Sequence, residues 1–245
     1  MERNDTIWQS TAVAQGFLEG MRGAIPLAAE QIDVMLRLIR STRPEMKDFL
    51  DIGCGDGVLA QAILAHYPDT QGILLDFSEP MLEAARHKLA ASRDQLRFVA
   101  GDYGSANWLK LVEAYAPFDA IVSGYSIHHQ PDARKEALYR EIYDLLAPGG
   151  VFINIEHVAP DSAWSRMLFD DLFIDSMLRH QQRQGINQSR EEVAEEFHNR
   201  PHGQANILAP LDIQLEWLRE IGFKDVGCFL QIFELALFAG VRSLE

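Results

Sequence analysis

Between residues 48 and 157, short apolar runs alternate with longer segments whose apolar residues recur every three or four positions. Short apolar runs are typical of buried strands, and the longer periodic segments are typical of the helices that cover them. The pattern predicts strands over the following ranges: 49–52, 72–76, 96–99, 118–122 and 151–155. This α/β order predicts a parallel sheet with helices on both faces.

Local signals mark where several of the predicted helices begin and end. Ser78-Glu79-Pro80 predicts a helix start, because Ser caps free backbone N–H groups and Pro is tolerated in the first turn. Pro148-Gly149-Gly150 predicts the end of the helix before the fifth strand. Ser189, three residues before Glu192, forms a capping box that predicts a further helix.

Two more strands are predicted near the end of the chain, over residues 226–231 and 233–241. Because so little separates them, we expect an antiparallel pair at the edge of the sheet. The whole pattern therefore predicts a seven-stranded, mostly parallel sheet with an antiparallel edge strand.

Helical patterns also occupy residues 10–40 and 161–200, outside this alternation. The second region carries an apolar stripe at helical spacing, formed by Trp164, Leu168, Leu172, Phe173 and Met177. One interpretation is a helix that packs on the core or on the second subunit of a homodimer. The other is a lid over a substrate, because such segments carry specificity on rigid α/β scaffolds.

The length of 245 residues favours one domain over two. We expect a single domain of residues 1–245, whose parts follow in chain order. They are N-terminal helices (1–45), a core (46–157), a helical insertion or lid (158–210), and a final helix with the edge strands (211–245).

Charge narrows the choice of partner. The formal net charge is −14, from 22 Lys and Arg against 36 Asp and Glu, so long-range electrostatics repel a polyanion. The basic residues are interspersed with acids, as in Arg190-Glu191-Glu192, and form no basic patch. Nucleic acid is therefore disfavoured as a partner, and a small molecule is favoured.

The sequence shows no clear motif for membrane insertion, secretion or metal binding. No uncharged run approaches the roughly 18 residues of a membrane span, and the polar N-terminus lacks the apolar stretch of a signal peptide. Since the two cysteines form no recognisable framework, we expect a cytoplasmic protein without a membrane partner. His198 and His202 have zinc-ligand spacing, but Pro201 interrupts the helix between them, so no metal site is predicted.

A glycine-rich loop, Asp51-Ile52-Gly53-Cys54-Gly55-Asp56-Gly57, joins the first strand to a helix over residues 58–66. Glycines let the backbone approach a ligand, and the helix start offers free N–H groups, which together imply an adenosine-containing cofactor. The dinucleotide fingerprint Gly-x-Gly-x-x-Gly would need glycine at position 58, where Val58 stands. A nicotinamide-dependent dehydrogenase is therefore disfavoured.

With glycines at 53, 55 and 57, the loop resembles the first motif, D/E-x-G-x-G-x-G, of class I S-adenosylmethionine-dependent methyltransferases. Companion motifs follow in the usual order: Asp76 ends the second strand, Gly101-Asp102-Tyr103 follows the third, and a loop beginning at Ser123 follows the fourth. The resemblance implies a Rossmann-like fold and an enzyme that binds S-adenosylmethionine and releases S-adenosylhomocysteine.

The resemblance also implies the residues that contact the cofactor. A carboxylate at Asp76 can accept hydrogen bonds from both ribose hydroxyls. Met81 is placed near the adenine, Asp102 at the adenine amino group and Tyr103 beside the ring. The complete expected set is Asp51, Gly53, Cys54, Gly55, Asp76, Phe77, Met81, Asp102, Tyr103 and Ser123.

Methyl transfer from a sulfonium needs alignment, exclusion of water and, for a weakly acidic acceptor, a base. His128 and His129 follow the fourth strand, at the carboxyl edge where open α/β sheets bind ligands. We take His128 as the candidate base, with a structural role or a contact to the cofactor as the alternative. His157 and His202 are further candidates.

The flanks are similar to carboxy-S-adenosylmethionine synthase of the tRNA wobble-uridine pathway, over Arg22-Gly23-Ala24-Ile25-Pro26 and Leu218-Arg219-Glu220-Ile221-Gly222-Phe223. In that synthase an arginine before the second stretch clamps the extra carboxylate, and Trp217 stands there in this chain. Tryptophan cannot make a bidentate carboxylate contact, so ordinary S-adenosylmethionine is favoured. Arg22 and Trp217 are expected to face the substrate cavity.

The sequence therefore predicts methyl transfer to a small organic acceptor whose reacting atom stays open. A synthase of the carboxylated cofactor and a non-catalytic S-adenosylmethionine-binding protein are the alternatives.

Overall fold

A computed structural model describes residues 4–244; residues 1–3 and 245, which the predicted domain includes, lie outside the described part. Its centre is a seven-stranded sheet made of β1 (Asp48–Ile52), β2 (Gln71–Asp76), β3 (Leu96–Ala100), β4 (Phe118–Gly124), β5 (Leu146–His157), β6 (Lys224–Ile232) and β7 (Leu235–Val241). The strand order is β3-β2-β1-β4-β5-β7-β6.

The first five strands pair in parallel, whereas β7 runs antiparallel to both β5 and β6. The predicted sheet is confirmed, with one refinement. The antiparallel strand β7 lies between β5 and β6, so that β6 forms the edge.

Two strands depart from regular pairing. β5 begins at Leu146, five residues before the predicted start, and includes the Pro-Gly-Gly segment that was expected to precede it. The pairing with β4 shifts register between Phe118 and Ala120, and Gly149 has a positive φ of 74°. At the edge, β6 shifts register twice against β7, and Asp225 has a φ of 52°.

The helices are α1 (Thr11–Gly16), α2 (Ala28–Thr42), α3 (Val58–His66), α4 (Glu79–Lys88), α5 (Leu109–Val112), α6 (Asp132–Leu145), α7 (Ala163–Arg183), α8 (Arg190–His198) and α9 (Leu211–Ile221). Ser78 caps α4 and the capping box at Ser189 opens α8, as predicted. α8 ends at His198, and a separate 3₁₀ turn begins at Pro201.

The N-terminal region is less regular than predicted. Before α2 the chain forms a 3₁₀ segment (Asn4–Gln9), α1, a π-helical turn (Phe17–Met21) and a second 3₁₀ turn (Arg22–Ala24). Gly16, Gly20 and Gly23 fall within eight residues of one another, and glycine weakens an α-helix. Short pieces of changing helix type are the result.

Each face of the sheet packs against its own set of helices. Because successive strand side chains point to opposite faces, Phe49 joins a core cluster with residues of α2, α3 and α4, and Leu50 joins one with residues of α6 and α9. Strands covered on both faces are apolar throughout, which explains the short apolar runs of the sequence.

A third apolar cluster joins α7 and α8 to the turn at Arg22–Ala24. The buried face of α7 carries Phe169, Phe173, Ile174 and Met177. The predicted stripe is therefore wrong in its first turns, where Trp164 is 67% exposed and Leu168 is also exposed. These turns project beyond the cluster. Within residues 4–244, no helix has both the length and the apolar character needed to cross a bilayer.

Candidate functional site

A cavity of about 330 Å³ opens at the carboxyl ends of β1, β2 and β4. Its first part, here called the loop end, is lined by Asp51, Gly53, Cys54, Gly55, Asp56, Asp76, Phe77, Ser78 and Met81. Its second part, the histidine end, is lined by Trp8, Phe17, His128, His129, His157, Phe169, Phe173, Phe197, Arg200 and His202. The cavity is of a size typical of small-molecule clefts.

The glycine loop needs its three glycines. Gly53, Gly55 and Gly57 have φ values of +64°, +53° and +76°, a region that other residues adopt only with strain. A side chain on Gly55 would meet no atom within 4 Å, because the backbone there borders open space. The loop therefore presents bare backbone to a ligand, directly before α3.

Asp76 ends β2 and holds the loop from the side. Its Oδ2 accepts a hydrogen bond from the Gly55 N–H at 2.8 Å, and its Oδ1 accepts one from the Ser78 N–H at 2.8 Å. Burial raises the pKa of Asp76 to about 6. The carboxylate faces the cavity with lone pairs left for a ligand, since each oxygen can accept more than one hydrogen bond.

Asp51 is a buried carboxylate without a good partner. It is 1% exposed, and neither carboxylate oxygen has a well-formed hydrogen bond among the residues that the structure describes. Burial, then the nearby Asp76, raises its pKa to about 8, which the Ala60 backbone amide offsets only in part. An unpaired buried charge is costly, so a cation bound in this cavity would stabilise Asp51.

Two basic side chains border the loop end. Arg22 Nε lies 3.5 Å from Asp56 Oδ1, and Lys88 is paired with the other oxygen of Asp56. Arg22 lines the cavity as predicted. Trp217 does not line the cavity, which corrects the expectation. It lies half-buried on α9 and packs against the core, with its ring centroid 6.4 Å from that of Tyr139.

Three predicted site residues do not line the cavity. Ser123 is fully buried in β4 and donates to the Ile52 carbonyl at 2.8 Å. Tyr103 is buried, and its hydroxyl donates to the Ser126 carbonyl at 2.9 Å. Asp102 accepts a hydrogen bond from the Gly104 N–H at 2.7 Å. The structure therefore brings the other predicted residues together around the cavity, whereas these three lie outside its lining.

His128 forms a close pair with Glu156 at the end of β5. Its Nδ1 lies 2.5 Å from Glu156 Oε1, and both side chains are buried. Burial raises the pKa of Glu156 to about 7 and lowers that of His128. When Glu156 is ionised, its carboxylate accepts a hydrogen bond from the Nδ1–H of His128, which leaves the lone pair of the neutral imidazole on Nε2. This is the arrangement of a general base.

His129 uses both ring nitrogens in structural contacts. Its Nε2 accepts from the Trp8 indole N–H at 3.1 Å, and its Nδ1 donates to the Ala205 carbonyl at 3.2 Å. Burial lowers the pKa of His129 to about 3, so the ring is neutral. The side chain joins the N-terminal segment to the segment after α8.

A second pair lies beside the first. His157 Nε2 is 2.7 Å from Oε2 of Glu234, a buried residue between β6 and β7. His202 packs against Trp8 with the ring centroids 5.0 Å apart, and burial lowers the pKa of His202 to about 4. The imidazoles of this end are thus held by carboxylates or by aromatic rings.

Arg200 follows α8 and faces the same space. Its guanidinium lies over the Phe197 ring, 3.8 Å from the centroid, and donates to the Phe197 carbonyl. Among residues 4–244, no carboxylate lies within 4.0 Å of it. Burial lowers the pKa of Arg200.

Sequence reasoning missed Trp8, Phe17 and Arg200, which line the cavity. It also missed Glu156 and Glu234, which pair with two of the cavity's histidines. One of them carried a usable signal. Glu156 stands in a mostly apolar strand, where a carboxylate is unexpected unless it has a partner.

The chain is similar to known proteins over different parts of its length. Residues 49–150 match the family described as methyltransferase domain. A carboxy-S-adenosyl-L-methionine synthase of Nautilia profundicola is 21% identical over 232 residues, 94% of this chain and 92% of its own length. A trans-aconitate 2-methyltransferase of Acidovorax sp. (strain JS42) is 37% identical over 114 residues, which cover 46% of this chain and 40% of its own length.

Among solved structures, human N-acetylserotonin methyltransferase in complex with SAM superimposes with a TM-score of 0.63 at 16% identity. The match covers 99% of this chain and 59% of that protein, so the chain spans about three fifths of this neighbour's length. At this identity the likeness concerns the fold.

Proposed function

We propose that this chain is a class I S-adenosylmethionine-dependent methyltransferase, whose cofactor-binding core includes residues 49–150, the part that matches a methyltransferase domain. The chain transfers the cofactor's methyl group to a small, mostly apolar organic acceptor that binds at the histidine end. His128, held by Glu156, takes the proton from the acceptor.

The unpaired carboxylate of Asp51 is the observation that carries the fit of the cofactor. S-adenosylmethionine brings an ammonium and a sulfonium group, and the ammonium would give Asp51 its missing partner. Asp76 would hold the ribose hydroxyls, with Phe77 and Met81 beside the adenine. A dinucleotide pyrophosphate is anionic and could not serve as the partner of Asp51.

The bound cofactor supplies a methyl group already activated by the sulfonium. What remains for the chain is to align the acceptor, exclude water and remove a proton. Asn206 lines the cavity beside the His128 ring. We assign His128 Nε2, the nitrogen not engaged by Glu156, to receive the acceptor proton.

The lining of the histidine end supports an apolar acceptor that is deprotonated at oxygen. Phe169, Phe173 and Phe197 supply aromatic surface, and Leu235 adds an aliphatic side. A base whose carboxylate titrates near neutral pH suits the removal of a hydroxyl proton. The net charge of −14 also favours a small molecule over nucleic acid.

Because residues from Trp8 to Leu235 line one cavity, the chain is proposed to act as a single domain. Cys54 and Cys228 are free thiols, compatible with the reducing cytoplasm in which we place the reaction.

Synthesis of the carboxylated cofactor is the second candidate, since the relative from Nautilia profundicola matches over 94% of this chain. The half-buried Trp217 speaks against it, because it stands where that synthase has the arginine and it packs against the core instead of lining the cavity. Mass spectrometry of small molecules that co-purify with the protein distinguishes the two. Carboxy-S-adenosylmethionine in that fraction would favour the synthase.

Calorimetric titration tests the first requirement of the proposed function, which is binding of the cofactor. We expect S-adenosylmethionine and S-adenosylhomocysteine to bind and NAD to leave the protein unchanged. Transfer of a labelled methyl group to a panel of phenols and hydroxy acids then tests catalysis. Absence of binding by both sulfur compounds would contradict the proposal.

A further inference from the structure

The two ends of the cavity differ in how their charges are compensated. At the loop end, Arg22 and Lys88 are both paired with Asp56. At the histidine end, the rings of His129 and His202 are neutral, because burial lowers their pKa values to about 3 and about 4. Among the described residues that line the histidine end, Arg200 is then the one with a permanent charge.

The acidic residues near Arg200 do not neutralise it directly. Asp170 and Glu234 both act on it electrostatically, but neither lies within the 4.0 Å of an ion pair, and neither lines the cavity. Glu234 is already paired with His157. A half-buried guanidinium without an ion pair is costly, and a bound anion would offset that cost.

The geometry of Arg200 suits a planar anion. The stacking on Phe197 and the hydrogen bond to its carbonyl fix the plane of the guanidinium. Arginine presents paired N–H groups that match the two oxygens of a carboxylate. Phe169 and Phe173 lie beside it, and His128 lines the same space.

We infer that the acceptor is an apolar or aromatic hydroxy acid whose carboxylate binds Arg200 while its hydroxyl group faces His128. This inference rests on the proposed function and names the class of its acceptor. The aromatic rings then hold the apolar body between the two polar groups, so Arg200 sets which acceptors are bound.

Binding of three matched, unreactive probes tests the inference. The protein is loaded with S-adenosylhomocysteine and titrated with 3-phenylpropionate, 3-phenylpropanamide and 3-phenylpropylamine, which differ only in the terminal group. We expect the acid to bind at least about 10-fold more tightly than the amide, as a charge-assisted contact provides. The amine should bind most weakly.

Substitutions at Arg200 should act on the acid alone. Arg200→Gln should remove the preference for the acid, whereas Arg200→Lys should keep part of it. Arg179→Gln, on the exposed side of α7, is the matched control and should keep the wild-type preference. The thermal midpoint and the affinity for S-adenosylhomocysteine are measured on every variant, so that misfolding is recognised.

The results test the inference about the acceptor separately from the proposed function. Equal binding of acid and amide, equal losses for both in Arg200→Gln, or no binding of any probe would overturn the inference while the proposed function stood. Failure of the wild-type protein to bind S-adenosylhomocysteine would instead refute the proposed function itself.

Discussion

The loop end and the histidine end share one cavity, yet they are assembled in different ways. The loop end comes from consecutive residues of one turn, together with Asp76 at the end of the adjacent strand. The histidine end joins residues from the whole chain, as the bond between Trp8 and His129 illustrates. The loop end is therefore formed mainly by residues that are close in sequence, whereas the histidine end is formed by residues that only folding brings together.

The two ends also use carboxylates differently. At the loop end, Asp51 is left without a good partner and Asp76 is held by backbone amides. At the histidine end, Glu156 and Glu234 each engage an imidazole. We read the first arrangement as preparation for a cationic ligand and the second as preparation for proton transfer.

The largest effect that would separate the two ends is expected at His128. Replacing His128 by Asn should lower kcat by about 10²–10⁴-fold, because general base catalysis contributes that much. The affinity for S-adenosylhomocysteine should stay unchanged, since the loop end is untouched. Steady-state kinetics and calorimetry measure both quantities. A kcat close to that of the wild type would remove His128 from the reaction.

The second prediction concerns how activity depends on pH through the pKa of Glu156, the partner of His128. Burial raises the pKa of Glu156 to about 7, so the pair takes up a proton below that pH and loses its base form. We expect kcat/KM to fall about 10-fold per pH unit below 7 and to level off above it. Glu156→Gln should abolish this limb. A flat wild-type profile between pH 5 and 8 would contradict the assignment.

At the loop end, Asp76→Ala should weaken binding of S-adenosylhomocysteine by about 10- to 100-fold, as loss of charge-assisted hydrogen bonds does. Asp102→Ala is the informative companion, because the sequence and the structure disagree about it. Since Asp102 does not line the cavity, its replacement should have a much smaller effect. Equal losses in both variants would favour the sequence-based expectation for Asp102.

Asp51 should couple stability to pH. Its pKa is raised to about 8 in the folded protein, so its protonated form stabilises the ligand-free fold at low pH. That stabilisation is lost as pH rises from about 4 to 8. Asp51→Asn should therefore raise the thermal midpoint by several degrees at pH 8.5, change it little at pH 4, and weaken cofactor binding. Calorimetric scans at both pH values check this.

The smallest effect is expected on the outer surface of α7. Trp164→Ser should change the thermal midpoint by no more than about 1 °C and leave kcat unchanged, because the side chain is exposed. Phe173→Ala, nine residues further along the helix, should raise KM instead, since Phe173 lines the cavity. Similar effects of the two substitutions would show that the helix acts as a whole.

The same contrast explains what could be predicted from the sequence. The strands, the glycine turns and the cap at Ser78 depend on neighbours within a few residues, and all were predictable. The pairing of His157 with Glu234 spans 77 residues and depends on the β6–β7 pair reaching β5. Trp217 faces Tyr139 of α6 because α9 packs on α6, and the periodicity of the sequence does not show which helices pack together.

The irregular edge strand β6 also has a consequence for how the protein behaves when concentrated. A regular edge offers evenly spaced N–H and C=O groups on which another chain can add as a further strand. The two register shifts in β6 and the positive φ of Asp225 interrupt that spacing. The exposed side chain of Phe229 therefore lies on an edge that resists aggregation.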